Sequence, residues 1–422
     1  MFSARKRFGE VFGLYGYFHQ RPEAVTCHPD HVRSLFTADP ELAPSVVANS
    51  QLVPVVGRNS VLTAIGPRHM RQRKLLLPAF HGEAIARYRE MITRAVDREI
   101  DTWPIGIPFA LAPRMQAITL DVIMGGIFGI EGTPEKGTAE HRLRQGVSTV
   151  LQLSTAPGAK LGELANLNRD EPVGMQRVVL DWLDRRIYPV IEQRRGRERD
   201  DILSMLLQAE TEDGERLTDK EVRDELLTLV LAGHETTANS LAWAFERLLR
   251  TPAAYDRLRD TVRSGEDADA YIDAVIYEAM RVRPVIPVVG RTVKVPWRLG
   301  DYTVPGDTQV LVSIALVHHR EDLYPEPFAF RPERFVGVKP GTYTWIPFGG
   351  GIRRCLGASF ALFEMKVVIP TILRRVELET AAPAPERIRR RAITFAPEND
   401  ALVIVRGKRS AAGASPAAIA AV

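Results

Sequence analysis

Cysteine is almost absent from this chain: its 422 residues include two, Cys27 and Cys355. That excludes a disulfide framework, and a reducing cytoplasm is the expected compartment. Long hydrophobic runs are missing too. A membrane-spanning helix needs about 18 consecutive apolar residues, and the greasiest stretch, 122–130, is short and broken by glycine. The opening MFSARKRFGEVFG is basic but lacks the apolar core of a signal peptide. Neither sign of charge dominates: 56 Lys and Arg against 52 Asp and Glu leave +4, which gives no reason to expect a nucleic-acid partner. No repeat and no Gly/Ser linker divides the chain. The one biased segment, SAAGASPAAIAAV from Ser410, reads as a disordered tail.

What is present is helical periodicity. Apolar residues recur at three- and four-residue steps over 61–88, 91–103, 115–128, 178–193, 200–210, 218–250 and 270–281. Short strand-like pieces fall at 10–15, 24–27, 290–295, 309–314 and 401–405. The fold class is therefore mainly α with small β-sheets. Strands do not alternate regularly with helices, which excludes a doubly wound nucleotide-binding fold. The longest helix has a defined start, because Thr218 and Glu221 form a T-x-x-E capping box, and a defined stop at Thr251-Pro252.

The centre of that helix is odd: Leu231-Ala232-Gly233-His234-Glu235-Thr236-Thr237 puts a glycine, a carboxylate and two β-branched alcohols where a buried helix favours none of them. A zinc protease would need H-E-x-x-H, and the fifth position is Ala238, so that reading fails. His234 then reads as a packed or hydrogen-bonded residue. Thr236 is placed to bond the Ala232 carbonyl one turn back, and with Gly233 this would open a groove in the helix wall. A carboxylate and a hydroxyl beside such a groove suit proton delivery. A purely structural kink is the alternative.

Cys355 follows three glycines, 349–351, and two arginines, and precedes an apolar helix from Leu356. Glycines let a backbone approach a flat object closely, and a helix N-terminus favours thiolate. One cysteine is too few for zinc or an iron–sulfur cluster but enough for haem iron, whose macrocycle supplies four ligands. Arg353 suits a carboxylate on that macrocycle. A buried structural cysteine and a nucleophile remain alternatives at this point. Cys27, in an apolar stretch, reads as a buried strand residue.

Four ordered motifs resemble the cytochrome P-450 haem-thiolate monooxygenases. Residues 348–357, FGGGIRRCLG, fit the haem-binding loop F-x-x-G-x-R-x-C-x-G; residues 232–237 fit the oxygen-activating A/G-G-x-D/E-T-T/S; Glu278-Ala-Met-Arg281 fits E-x-x-R; and Pro332-Glu-Arg334-Phe335 fits P-x-R-F. The resemblance runs from about Lys6 to Arg406, so residues 6–408 are expected to form one domain with the cytochrome P-450 fold, a long central helix over haem b, and 409–422 a tail. It implies Cys355 as the iron ligand and Glu235 and Thr236 as the proton-relaying pair. It places Ala232, Phe348, Gly349 and Gly357 against the macrocycle, and His69, Arg73, Arg291 and Arg353 on its propionates. Glu278, Arg281 and Arg334 would form a structural triad, and His318-His319 would be structural.

The resemblance further implies a lipophilic substrate between Leu231, Ala232, Val285, Ile286, Val289 and the turn at Thr394-Phe395. Electrons would come from a separate ferredoxin or flavodoxin, docked on Arg68, Arg71, Lys74 and Arg354, and a monomer is expected. A peroxygenase and a haem-based gas sensor are the alternatives, the first disfavoured by the presence of both Glu235 and Thr236. The sequence departs from the pattern in three places. It begins almost at the first strand, without the usual proline-rich hinge and first helix, Pro370 lies where it should kink or end the helix after Cys355, and the alanine-rich tail has no counterpart in the family.

Overall fold

The computed structural model describes residues 1–15, 22–80, 82–154, 162, 165–166, 169–197, 199–265, 267–391 and 393–410. Residues 411–422, most of the alanine-rich tail, lie outside them. The organising element is the helix Asp219–Leu249, 31 residues long, or roughly 46 Å at about 1.5 Å per residue. Its capping box forms as read: Thr218 Oγ1 accepts from the Glu221 N–H, and Glu221 Oε2 accepts from the Thr218 N–H at 2.8 Å. At the other end the chain breaks at Thr251 and restarts with Pro252 in the first turn of the helix Pro252–Ser264.

Two cores flank this central helix. On one side Ala238, Leu241, Ala242, Phe245 and Leu248 pack with the helices Arg89–Asp101, Leu111–Phe128, Asp269–Val282 and Ala358–Arg375. On the other, Val222, Leu226, Leu227 and Val230 join the helices Ala139–Ser154, Gly174–Arg194 and Ile202–Gln208. A four-stranded sheet forms a third core, in the order Val11–Tyr15, Pro22–Thr26, Thr308–Ser313, Val288–Val293. Its middle pair is parallel and its outer pairs antiparallel. Further small sheets include the hairpin Ile388–Arg391/Thr394–Pro397, which reaches the central helix. Among the described residues no helix is long and apolar enough to cross a membrane.

The structure corrects the sequence reading at four points. The single helix expected over 61–88 is broken into Gly66–Leu76, the short 3-10 turn Leu77–Phe80 and Glu83–Ala86, because Pro67 and Pro78 each begin a new turn and neither can continue one. Pro370 does not end its helix, which runs to Arg375. A mid-helix proline costs about 3 kcal/mol, but Val367, Val368, Ile369, Ile372 and Leu373 around it are buried, each contributing roughly 1.5–3 kcal/mol, so packing wins. A seven-residue helix, Phe2–Phe8, precedes the first strand. The helices Pro29–Phe36 and Ala139–Ser154 and the strand Val376–Thr380 were not anticipated. That strand follows the proline-bearing helix with no turn residue to announce it.

Candidate active site

The loop before Cys355 folds back on itself, with the Cys355 N–H donating to the Phe348 carbonyl at 2.9 Å. Its glycines serve two purposes. A Cβ on Gly350 or Gly351 would collide with Phe36, so these two are required by packing; only Gly349, at φ +65°, faces open space. Cys355 is exposed, yet protein crowds its sulfur. Burial pushes the thiol up, opposed by the Gly357 N–H directed at it and by Arg354 and Arg73. The sulfur is thus reachable and already has donors arranged for its charged form. Cys27 is the opposite case, fully buried with its Sγ 3.9 Å from the Glu10 carbonyl.

On the central helix, Ala232 is exposed and Leu231, Gly233, Glu235 and Thr236 beside it are half-buried, so the helix presents a bare face at mid-length. Thr236 Oγ1 donates to the Ala232 carbonyl at 2.6 Å, as expected, but the helix is uninterrupted. Gly233 opens no groove: a Cβ there would lie 3.2 Å from Ile123 Cδ1, so the glycine admits the neighbouring helix Leu111–Phe128. His234 is buried and its Nδ1 lies 2.9 Å from Thr119 Oγ1, which makes it structural. Glu235 carries a partner the sequence reading missed. Its Oε1 sits 3.2 Å from Arg391 Nε and accepts from Thr394 Oγ1 at 3.2 Å. Burial raises its carboxyl, opposed by Arg391, Thr394 and Asn239.

The third component is an excess of positive charge. Burial, then the guanidinium groups of Arg353, Arg73 and Arg291, hold the His69 imidazole down at about 4. Arg353 is lowered to about 10 by burial and by Arg291 and Arg73; Arg291 is lowered to about 10 by burial alone. Arg353 donates to the Val61 and Ala64 carbonyls, Arg73 to the Arg354 carbonyl at 2.8 Å, and Arg291 to the Gly290 carbonyl at 3.1 Å, with its guanidinium over the Phe36 ring at 5.5 Å. Among the described residues no carboxylate faces these three arginines. Buried cations are ordinarily paired, so the cluster calls for an anion from outside the chain. Two propionates beside a macrocycle reaching Cys355 meet that demand, and the residues present fit haem.

Other expected residues take structural places. Glu278 holds Arg281 through two bonds of 2.7 and 2.8 Å and Arg334 through one of 3.1 Å, and Arg281 also donates to the His318, Pro327 and Ala329 carbonyls. His318 Nε2 accepts from the Ile346 N–H at 2.8 Å, and His319 Nδ1 lies 2.8 Å from the Ala315 carbonyl. Two members of the expected docking face are already engaged. Arg71 pairs with Glu215 at 2.8 Å and Glu221 at 3.0 Å, and Lys74 with Glu212 at 2.6 Å. Of the pocket walls, Leu231, Ile286, Val289 and Phe395 are half-buried and Val285 is buried. Thr394, expected as wall, is 1% exposed and belongs to the Glu235 network.

A family model described as cytochrome P450 matches residues 1–403. Chains of Mycobacterium tuberculosis and Mycobacterium bovis named as cytochrome P450 135B1 are 36% identical over 427 residues, spanning 98% of this chain and 88% of theirs. The Mycobacterium tuberculosis chain named as cytochrome P450 137 is 38% identical over 386 residues, 89% of this chain and 79% of that one. Among solved structures, a retinoic-acid-bound cyanobacterial CYP120A1 shares the fold with a TM-score of 0.76 at 21% identity, covering 96% of this chain and 93% of that one. The haem domain of cytochrome P450DA does so with a TM-score of 0.80 at 24% identity, covering 96% and 92%. A family model matching nearly the whole chain and relatives at 36–38% identity show that the chain belongs to the cytochrome P450 family of haem-dependent monooxygenases.

Proposed function

We propose that this protein inserts one atom of dioxygen into a lipophilic small molecule, with haem b held by Cys355 and electrons delivered by a separate ferredoxin or flavodoxin. The observation that carries the reading is the convergence of His69, Arg73, Arg291 and Arg353 with no carboxylate facing the arginines among the described residues, beside a cysteine whose surface is open. For a hydroxylation the balance is one substrate, one dioxygen, two electrons and two protons to one alcohol and one water. Bound haem supplies the iron at which dioxygen is reduced and one oxygen atom transferred.

The chain's own residues do the rest. Cys355 donates thiolate, with the Gly357 N–H moderating its charge. Arg73, Arg291 and Arg353 neutralise the propionates, and His69, held neutral, serves as a hydrogen-bond donor. Glu235 gathers protons at a carboxyl already raised by burial, and Thr236 holds one over the face left bare at Ala232. Ile286, Val289, Leu231 and Phe395 exclude water and receive an apolar substrate.

The reduced protein with carbon monoxide should show the thiolate-ligated spectrum; its absence would sink the assignment. Thr236→Ala should keep that spectrum and divert electrons to hydrogen peroxide, and unchanged coupling would remove Thr236 from the relay. With Arg71 and Lys74 occupied internally, Arg68 and Arg354 are left to meet an acidic ferredoxin. The pair Arg68→Glu and Arg354→Glu should raise the ferredoxin KM at least tenfold with kcat little changed. An unaltered KM in stopped-flow reduction would place docking elsewhere.

A further inference from the structure

Glu235 and Thr236 are neighbours in sequence, but consecutive helical residues point about 100° apart and do not face each other. Glu235 is directed instead at the C-terminal hairpin. Its Oε1 forms an ion pair with Arg391, 3.2 Å from Nε, and accepts from Thr394 Oγ1 at 3.2 Å. The Thr394 hydroxyl has one proton and two acceptors within reach, Glu235 Oε1 and, closer at 2.8 Å, the Arg391 carbonyl. Asn239, one turn along the central helix, donates from Nδ2 to Thr394 Oγ1 at 3.2 Å and leaves its buried Oδ1 without a partner. Donors from Arg391, Thr394 and Asn239 therefore surround the charged carboxylate.

We propose that Arg391 is the positioning residue for Glu235: its guanidinium parks the carboxylate against the hairpin, away from Thr236, and sets the pH at which Glu235 takes up the proton it later delivers. This deepens the monooxygenase reading and rests on it. The parked state is the charged one. On protonation Glu235 loses the attraction to Arg391 and is no longer held to the hairpin by charge.

Arg391 is the charged group whose field lowers the Glu235 carboxyl. From the central helix itself, His234 is next in line, but burial and then Arg391 hold its imidazole down at about 4, so it is neutral, bound to Thr119 of the adjoining helix. Of the other hairpin arginines, Arg389 is paired with Asp400 at 3.0 Å, and Arg390 has a partner of its own. The direction of the effect follows: an adjacent cation favours the charged carboxylate, by roughly 1–3 pH units for a close pair. Removing it must raise the pH at which Glu235 ionises.

The test is an infrared pH titration of the ferric, haem-loaded protein, reading the protonated-carboxyl stretch that Glu235→Gln abolishes. Arg391→Gln should move the midpoint of that band upward by roughly 1–3 units, and Arg391→Lys should return most of the shift. In turnover, the pH at which coupling of electrons to product falls off should move by the same amount in the same direction. The proposal is overturned if Arg391→Gln leaves the midpoint unmoved, if Glu235→Gln abolishes no band, or if Arg391→Gln only weakens substrate binding equally at every pH. Should Arg391→Gln fail to fold, Arg391→Met takes its place: an upward midpoint shift supports the proposal, and the parent's midpoint with lowered stability marks a guanidinium that only braces the hairpin. Failure of the monooxygenase reading is distinguishable, since it appears as a missing thiolate spectrum or unchanged coupling in Thr236→Ala, neither of which touches the Glu235 band.

Discussion

Cys27 and Cys355 share a side chain and differ in everything around it. Burial raises both thiols, but Cys27 is sealed in the sheet core while Cys355 meets the Gly357 N–H and an open face. The same contrast separates the buried carboxylates. Glu278 is matched by two arginines, whereas Glu364, on the helix after Cys355, is 2% exposed, and its Oε1 has no partner. Burial pushes its carboxyl up to about 8, against roughly 4.3 in an unfolded chain. Between those values the folded protein holds a proton that the unfolded one has lost. Stability is therefore fully present below about pH 4 and falls as pH rises toward 8, by up to roughly 1.4 kcal/mol per unit. Glu364→Gln keeps the shape and removes the slope, so its urea midpoint should exceed the parent's at pH 8 and match it near pH 4. Equal midpoints at both values would assign the pH dependence to other groups. Nothing in the local sequence marks Glu364: an isolated glutamate in a helix reads as solvated, and only the helices packed around it decide otherwise.

At the scale of elements, the capping box does more than start a helix. Glu221 accepts from Thr218 through Oε2 and, through Oε1, from Arg71 and Gln72, both at 3.0 Å. It thereby ties the start of the central helix to the helix Gly66–Leu76, which carries His69 and Arg73. The cap was legible because T-x-x-E is a local pattern. The tie was not, because its partners lie about 150 residues away in the chain. Glu221→Ala should cost about 1–3 kcal/mol, from the lost cap and a partly buried ion pair. Hydrogen exchange should quicken in 66–76 as well as in the first turn of the central helix. Exchange confined to that first turn would mean that the tie contributes nothing. Periodicity found this helix and several of its neighbours within a few residues. It failed where proline acts through context, merging 61–88 although Pro67 and Pro78 divide it, and doubting a helix end at Pro370 that core packing carries through.

At the scale of the whole molecule, the cation cluster draws on a helix, a strand and a loop distant in sequence: His69 and Arg73, Arg291, and Arg353. Their mutual repulsion is a cost of the folded chain that a dianionic ligand relieves. Haem held a hundredfold above its dissociation constant should stabilise the fold by about 2.7 kcal/mol, so stripping it should lower the melting temperature. Arg291→Leu separates the two contributions. It should raise the melting temperature of the stripped protein, by removing a buried unpaired charge, and weaken haem binding about tenfold, or 1.4 kcal/mol, in a haem titration. A fall in stability in both forms would make Arg291 part of the scaffold only.

By itself the sequence determined the helix-rich class and the capping box, because each rests on residue type and short spacing, and it marked the thiol, the acid–alcohol pair and the arginines as candidates through the motifs that resemble the family. Tertiary structure alone decided that two of the three loop glycines answer to Phe36, that Arg71 belongs to Glu221, and that Glu235 faces Arg391. Those pairings join segments far apart in the chain, and packing chooses them, since the free energy of a contact depends on what it is buried against.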